Sequence, residues 1–398
     1  MFSLSFLRSG VVLFSNFPRR LIQPPTASQF STNLARFAQK TFKKPIYKNR
    51  LLEIMSESGE KTNLKTIGTH DGRFHCDEAL ACFMLRQLDE YKNAEIVRSR
   101  NEEILAKCDI VVDVGGIFDV AKKRFDHHQK SFGDSLSSLR PDFGTKYDVR
   151  LSSAGLIYVH YGEEIISAIL QKEANVQLDR KSLEMIFRMV YEKFIQEIDA
   201  IDNGVPMFQG EAKYSIHTGI NSRIQDLNQQ WKIVKEPFDS NEQFGKAMNL
   251  VGSEFVQKIL HYTESWLPAR TIVEQALLNR EKIHPSGSIM LLEPFCPWKE
   301  HLAQLEVEHK IEGCLKYVVW CDGKSDYRCM AVPVTPESVI CRKFLHKDWR
   351  GLRGEELEKV SGIPQINFVH HNGFIGGAFS REAVLKMAEL SLLGDYTD

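Results

Sequence analysis

No Cys-x-x-Cys pair occurs among the eight cysteines of this 398-residue chain, so their spacing points to neither a zinc ribbon nor a dithiol redox motif. They read as reduced thiols of an intracellular compartment. No apolar run reaches the roughly 18 residues that a membrane-crossing helix needs, and the expectation is a soluble protein with no membrane partner. A surplus of positive charge is missing too, since 51 Lys and Arg face 52 Asp and Glu for a net charge of −1. Such a balance exerts no overall pull on nucleic acid, so binding of that kind must rest on a local groove. Internal repeats and low-complexity tracts are absent.

Acidic residues are absent from the first 52 positions, where Arg8, Arg19, Arg20, Arg36 and Lys40 stand among Ser, Phe and Leu. An acid-free leader bearing arginine and serine has the composition of a mitochondrial transit peptide. Residues 1–55 are read as that leader, the alternative being a disordered basic tail. The apolar patch Val11-Val12-Leu13-Phe14 is too short for a secretory signal. The run from Lys43 to Arg50 could serve nuclear import, and Met55 could be a second start.

Against these absences stands a dense set of metal-ligating side chains. Asp126-His127-His128 puts a hard oxygen ligand before two imidazoles, a mixture that suits manganese, iron or zinc better than calcium. His70, His75 and Asp77 lie between a short strand at 64–69 and an amphipathic helix from Glu78, where Asp77 could equally be an N-cap. Asp113 follows the strand Ile110-Val111-Val112, on the crest where open α/β sheets keep their ligands; a turn aspartate reads the same way. A helix with a stripe of Leu183, Ile186, Phe187, Val190, Phe194 and Ile198 delivers Asp199 and Asp202, whose spacing lets both face one way. One could bind metal while the other holds a histidine. Together these residues form a candidate dinuclear site.

Ser152 and Ser153 read as caps of a further helix, or as a start whose amides hold a phosphate. Residues 211–284 look helical, and strands follow at 288–292, 315–321 and 327–334. Near the carboxyl end, His370-His371-Asn372-Gly373-Phe374-Ile375-Gly376-Gly377 precedes Ser380, the expected cap of a last helix. Its glycines could let backbone amides approach an anion, or simply form a tight turn.

The ordered set His70, His75, Asp77, then Asp113, then Asp126-His127-His128, then Asp199 and Asp202 resembles the four motifs of the DHH phosphoesterase superfamily. More closely, Thr69-His70-Asp71-Gly72-Arg73-Phe74-His75, Pro297-Trp298-Lys299-Glu300-His301-Leu302 and Gly373-Phe374-Ile375-Gly376-Gly377 resemble the Myg (melanocyte proliferating gene) exonuclease family, from about Lys65 to about Leu390. The resemblance implies an α/β, two-lobed, DHH-like phosphoesterase. Residues 63–210 would be the metal-binding catalytic domain with a mostly parallel sheet, 211–285 a helical connector, and 286–390 a smaller mixed α+β lobe that binds substrate.

It also implies a divalent-metal-dependent phosphodiesterase, a 3′–5′ exonuclease of RNA in the mitochondrial matrix and in the nucleus, with two Mn²⁺ or Mg²⁺ ions as cofactor and RNA as partner. In that scheme His70 and His75 hold one ion, and Asp77 and His127 the other. Asp113 and one of Asp199 and Asp202 bridge or complete both shells. His128 stabilises the transition state or protonates the leaving group, and Asp126 orients the histidines or serves as a ligand. His371, Gly376 and Gly377 help to hold the substrate. Where many DHH members have Asp-x-Asp this chain has His75-Cys76-Asp77, which softens the first site. Two other readings stand beside this one: a hydrolase of pyrophosphate, cyclic dinucleotides or short oligonucleotides, and a non-catalytic RNA-binding regulator with a structural metal.

Overall fold

The computed structural model describes residues 64–232, 238–323 and 326–394; the leader expected at 1–55 lies outside them. Two five-stranded sheets organise the described chain, in the orders β2-β1-β3-β5-β4 and β6-β7-β8-β10-β9. In the first, β1 (Thr66–Thr69), β2 (Glu95–Arg98), β3 (Ile110–Val112) and β5 (Arg124–Phe125) are parallel, and β4 (Phe118–Asp119) is antiparallel on the edge. β3 reads Ile-Val-Val and is buried throughout, as an inner parallel strand covered on both faces should be. Because these strands run the same way, their carboxyl ends share one crest. There β1 delivers His70, β3 delivers Asp113 and β5 delivers Asp126.

Helix α1 (Cys76–Leu85) leaves that crest directly. Its expected single apolar stripe is instead an almost wholly buried surface, because it packs at once against α2 (Ser153–Glu173) and the long helix Ser240–His261. The stretch expected as one helix from Leu183 to Ile198 is α3 (Arg180–Val190), a π turn (Tyr191–Ile195) and α4 (Gln196–Asp202). A π turn widens the coil and reorients all of α4, with both aspartates, as one piece. The stretch expected as a helical connector contains α5 (Ile220–Gln225), α6 (Ser240–His261) and α7 (Leu267–Leu278).

In the second sheet β6 (Ile289–Leu292) and β7 (Tyr317–Cys321) are parallel, and the pairings among β7, β8 (Tyr327–Ala331), β10 (Ile375–Ala378) and β9 (Ile366–Val369) are antiparallel. Strand alternation sorts its residues cleanly. Ile289, Leu291, Tyr317 and Val319 face Val384 and Met387 of the last helix, α10 (Arg381–Leu393), while Met290, Leu292, Val318 and Trp320 face Val273 and Leu302. α8 (Lys299–His309) supplies Leu302, and α9 (Gly354–Ser361) supplies Leu357 to the first cluster. The fold is mixed α/β. All eight cysteines are free thiols, and among the described residues no helix is long and apolar enough to cross a membrane.

Candidate metal centre

Asp113 is the centre of the arrangement. Its Oδ2 lies 3.3 Å from His70 Nε2 and its Oδ1 lies 3.2 Å from His127 Nε2, so one carboxylate spans two imidazoles from different strands. It reaches them from a left-handed backbone, φ 61°, a conformation that Asp tolerates better than most residues. His70 Nε2 is also 3.1 Å from Glu78 Oε1, and His127 Nε2 is 3.2 Å from Asp202 Oδ2. His128 Nδ1 sits 2.7 Å from Asp126 Oδ1, while the amide of Gly116 donates to Asp126 Oδ2 at 2.5 Å. Asp126 therefore orients His128, and it stands outside the groups able to hold an ion.

Those groups number three among the described residues: His70, His75, Glu78 and Asp113; Asp113, His127 and His128; His75, Asp77 and Asp202. Adjacent ligands of an octahedral ion with bonds of about 2.1 Å lie about 3 Å apart, close to the imidazole–carboxylate separations seen here. Asp77 Oδ1 and His127 Nδ1 are buried without a partner, whereas Asp77 Oδ2 accepts from Ser153 Oγ at 2.7 Å. A buried carboxylate oxygen left bare is costly unless a cation meets it, and the donor set of imidazole and carboxylate suits a divalent ion. The residues fit such a cofactor.

Asp199 does not join them. Its Oδ1 accepts from the amide and hydroxyl of Ser152, at 3.0 and 2.7 Å, so it underpins the start of α2 rather than the cluster. Asp199 and Asp202 lie three residues apart on α4 and both interact with Asp77 and His127, but Asp202 reaches His127 Nε2 and joins an ion-holding group, whereas Asp199 is taken up by Ser152 and joins none. His371, Gly376 and Gly377 are likewise not brought to the centre. Gly376 and Gly377 form neither an anion loop nor a turn: they lie in β10, paired to β8 and β9, and His371 is exposed in the connection before it. Glycine is needed there for close packing, since a Cβ on Gly377 would sit 2.7 Å from the Phe368 ring and 2.8 Å from Arg328 Nη1. Gly377→Val should accordingly destabilise the fold by about 1–3 kcal/mol and leave manganese content unchanged. Thermal unfolding of the variant with metal analysis checks this; an unchanged melting temperature with weaker RNA binding would restore the anion-loop reading.

Several supporting residues carry little or no local signal. Glu78 receives the His75 amide at 2.8 Å, a spacing of three that marks a capping box and could have been read. Arg98 donates to the carbonyls of His70 and Gly72, at 3.3 and 2.7 Å. Asn228 clamps the backbone of Phe74 through both amide atoms, at 2.9 and 2.8 Å. These partners are remote in sequence.

Electrostatics follow from crowding four carboxylates together. Burial pushes Asp202 up to about 9, helped by the charges of Asp77 and Asp113. Burial likewise lifts Glu78 to about 8 against the hydrogen bond from His70. For His70 and His127 burial works against the charged ring, yet hydrogen bonds to carboxylates, Asp113 first, raise them to about 10 and about 9. The same two imidazoles overcome burial at Asp113 and hold it well below the usual carboxylate range.

A raised group contributes stability that is complete below its unfolded value and lost as pH climbs through its folded value. The metal-free protein should therefore lose stability from about pH 4, the unfolded value of Asp202, to about pH 10, the folded value of His70; the contribution of Asp113, a depressed group, is complete above about pH 4. Divalent cations replace these protons, so the rise in melting temperature on adding Mn²⁺ should be larger at about pH 8.5 than at about pH 6. Thermal melts with and without chelator test the sign, and equal increments at both pH values would contradict it.

Two clefts open onto the centre. One, of about 510 Å³, is lined by His75, His127, His128, Arg150, Asp202 and Asn203 among others. The second, of about 290 Å³, includes His70, His75, Arg100, Asp113, Gly115 and His128.

Comparison with known proteins bears on what this centre is. A profile described as "Uncharacterised protein family (UPF0160)", that of the MYG1 exonucleases, matches residues 66–392. The chain is 46% identical over 328 residues to the MYG1 exonuclease of Bos taurus, covering 82% of this chain and 84% of that one. It is 45% identical to the MYG1 exonuclease of Homo sapiens, with 82% and 85% covered, and 39% identical to the MYG1 protein YER156C of Saccharomyces cerevisiae, with 82% and 96% covered. A solved structure, the pGpG-specific phosphodiesterase PggH from Vibrio cholerae, aligns over 82% of this chain and 97% of its own at 11% identity and a TM-score of 0.23, a likeness too weak to carry an argument. With the profile spanning both sheets and every residue of the centre, the chain belongs to the MYG1 exonuclease family.

Proposed function

We propose that this protein is a divalent-metal-dependent phosphodiesterase, a 3′–5′ exonuclease of RNA that uses two Mn²⁺ ions. The observation that carries the reading is Asp113, whose two oxygens address two separate imidazoles on either side of it. Relatives named exonuclease support the same class. His70, His75, Glu78 and Asp113 would hold one ion; Asp113, His127, Asp77 and Asp202 would hold the other. Bound there, divalent ions supply Lewis acidity and acidify a water.

The protein's own groups supply the rest. His128 Nδ1 is engaged by Asp126, and that hydrogen bond outweighs burial and raises the imidazole above its ordinary value. More of it is protonated at neutral pH, as a donor to a leaving oxygen should be. Arg150 donates to the His127 carbonyl and lines the larger cleft, where its charge would hold a phosphate. In this reading residues 63–210 are the catalytic half, 211–285 the connector and 286–390 the substrate lobe. The site of action is the mitochondrion, on the composition of the acid-free leader. Imaging a tagged chain from which residues up to Lys48 have been removed tests that address, and unchanged import would remove it.

The activity is tested by giving purified protein and manganese labelled RNA, pyrophosphate and dinucleotides. Stepwise loss of mononucleotides from the 3′ end is expected. Turnover of the small substrates alone would replace this reading by a small-substrate hydrolase, and RNA binding without turnover by a regulator.

A further inference from the structure

The crevice over the centre is divided. His75 and His128 belong to both clefts, whereas each cleft has an arginine of its own, Arg150 in the larger and Arg100 in the smaller. A phosphodiester crossing from one to the other would therefore pass over the shared pair, beside the ion-holding groups. The two sides differ in capacity. About 290 Å³ lies at the bottom of the range of ligand sites, about 300–1,000 Å³, and matches a single small unit; the larger cleft has room for more.

Arg100 is poorly satisfied. Its side chain is 57% exposed, its Nε lies 3.7 Å from Asp71, and its Nη2 lies 3.3 Å from His70 Nδ1, a ring nitrogen that already faces the Asp71 carbonyl at 3.0 Å. A guanidinium offers five donors in a fixed fork, and most of these have no partner among the described contacts. Its neighbour His70 puts that fork at the centre's end of the smaller cleft. The lining includes main chain as well: Gly115, with φ 100°, has nothing within 4 Å of where a Cβ would be, so a flat group can lie against the backbone there. Glycine alone adopts this conformation cheaply.

We propose that the smaller cleft is the pocket for the terminal nucleotide of the substrate and that Arg100 holds its phosphate. The inference rests on the phosphodiesterase reading and adds to it the unit released, a nucleoside 5′-monophosphate. Water adds to phosphorus as the bond from phosphorus to O3′ of the preceding nucleotide breaks. That O3′ takes its proton from His128, which is recharged by the proton the water sheds, and the phosphate stays with the terminal unit in the smaller cleft. The rest of the chain leaves through the larger cleft past Arg150. A pocket with space for one unit accounts for removal one nucleotide at a time.

The test is calorimetric binding of adenosine 5′-monophosphate, adenosine and inorganic phosphate to the full, manganese-loaded protein. The monophosphate should bind more tightly than phosphate, and Arg100→Gln should weaken it tenfold or more, as loss of a charged hydrogen bond would. Arg100→Lys should fall between, and metal content should be unchanged in both. Arg150→Gln should weaken a short RNA more than the monophosphate. The proposal is overturned if the monophosphate does not bind, if phosphate binds as tightly, if Arg100→Gln leaves its affinity unchanged, or if Arg150→Gln is the variant that removes it. Binding as described in a protein that hydrolyses no RNA would instead sink the exonuclease reading and leave the pocket standing.

Discussion

Asp113→Asn is expected to lower turnover of RNA by two orders of magnitude or more, far beyond its effect on thermal stability. Asparagine keeps the size of the side chain and tolerates the left-handed backbone at this position at least as well, so the crest should retain its shape. What disappears is the charge between His70 and His127. Losing one donor of comparable importance in other active sites costs about 10²–10³ in rate, and a carboxylate placed between two cations has more to lose. The fold should also lose some stability, because Asp113 is the first hydrogen-bond partner of both raised imidazoles, but Glu78 beside His70 and Asp202 beside His127 remain to take part of that role. Steady-state kinetics beside a thermal melt read both quantities. Near-normal turnover with normal metal content would remove Asp113 from the centre.

A second large effect is expected far less visibly, at Gly155. A Cβ there would lie 2.4 Å from Asp199 Oδ1 and 2.6 Å from Oδ2, and that carboxylate is fully buried and pinned by Ser152. Gly155→Ala must therefore displace the first turn of α2, which carries Ser153 and its hydrogen bond to Asp77. Overpacking of this kind costs about 1–3 kcal/mol, and manganese affinity should fall with it. Asp199→Ala makes room for the new methyl group, so the double variant should be clearly more stable than the sum of the single changes requires. Strict additivity would show that Gly155 and Asp199 are not in contact.

The sequence made the crest legible because His70 and Asp113 each follow a short strand that could be read, and parallel strands collect whatever follows their carboxyl ends; the two-residue strand before Asp126, Arg124–Phe125, is too short to announce itself. It could not assign Asp199 and Asp202, because the deciding contacts, Ser152 on Asp199 and His127 on Asp202, come from distant parts of the chain. The glycine pair at 376–377 misled for a related reason. Glycine marks either a backbone that needs positive φ or a neighbour that needs room, and only the surrounding side chains, Phe368 and Arg328 here, decide which. Arg98 and Asn228 were invisible because each binds a loop more than 25 residues away. Glu78 could have been found, since His75 and Glu78 have capping-box spacing.

Two cations are expected to flank Asp113, one on each carboxylate oxygen. Anomalous X-ray diffraction at the manganese edge, on crystals of the protein grown with Mn²⁺, reads this directly. Two peaks are expected, one against His70 and His75 and the other against His127 and Asp202, each within bonding distance of a different Asp113 oxygen. A single peak that Asp113 does not touch, or none at the crest, would contradict it.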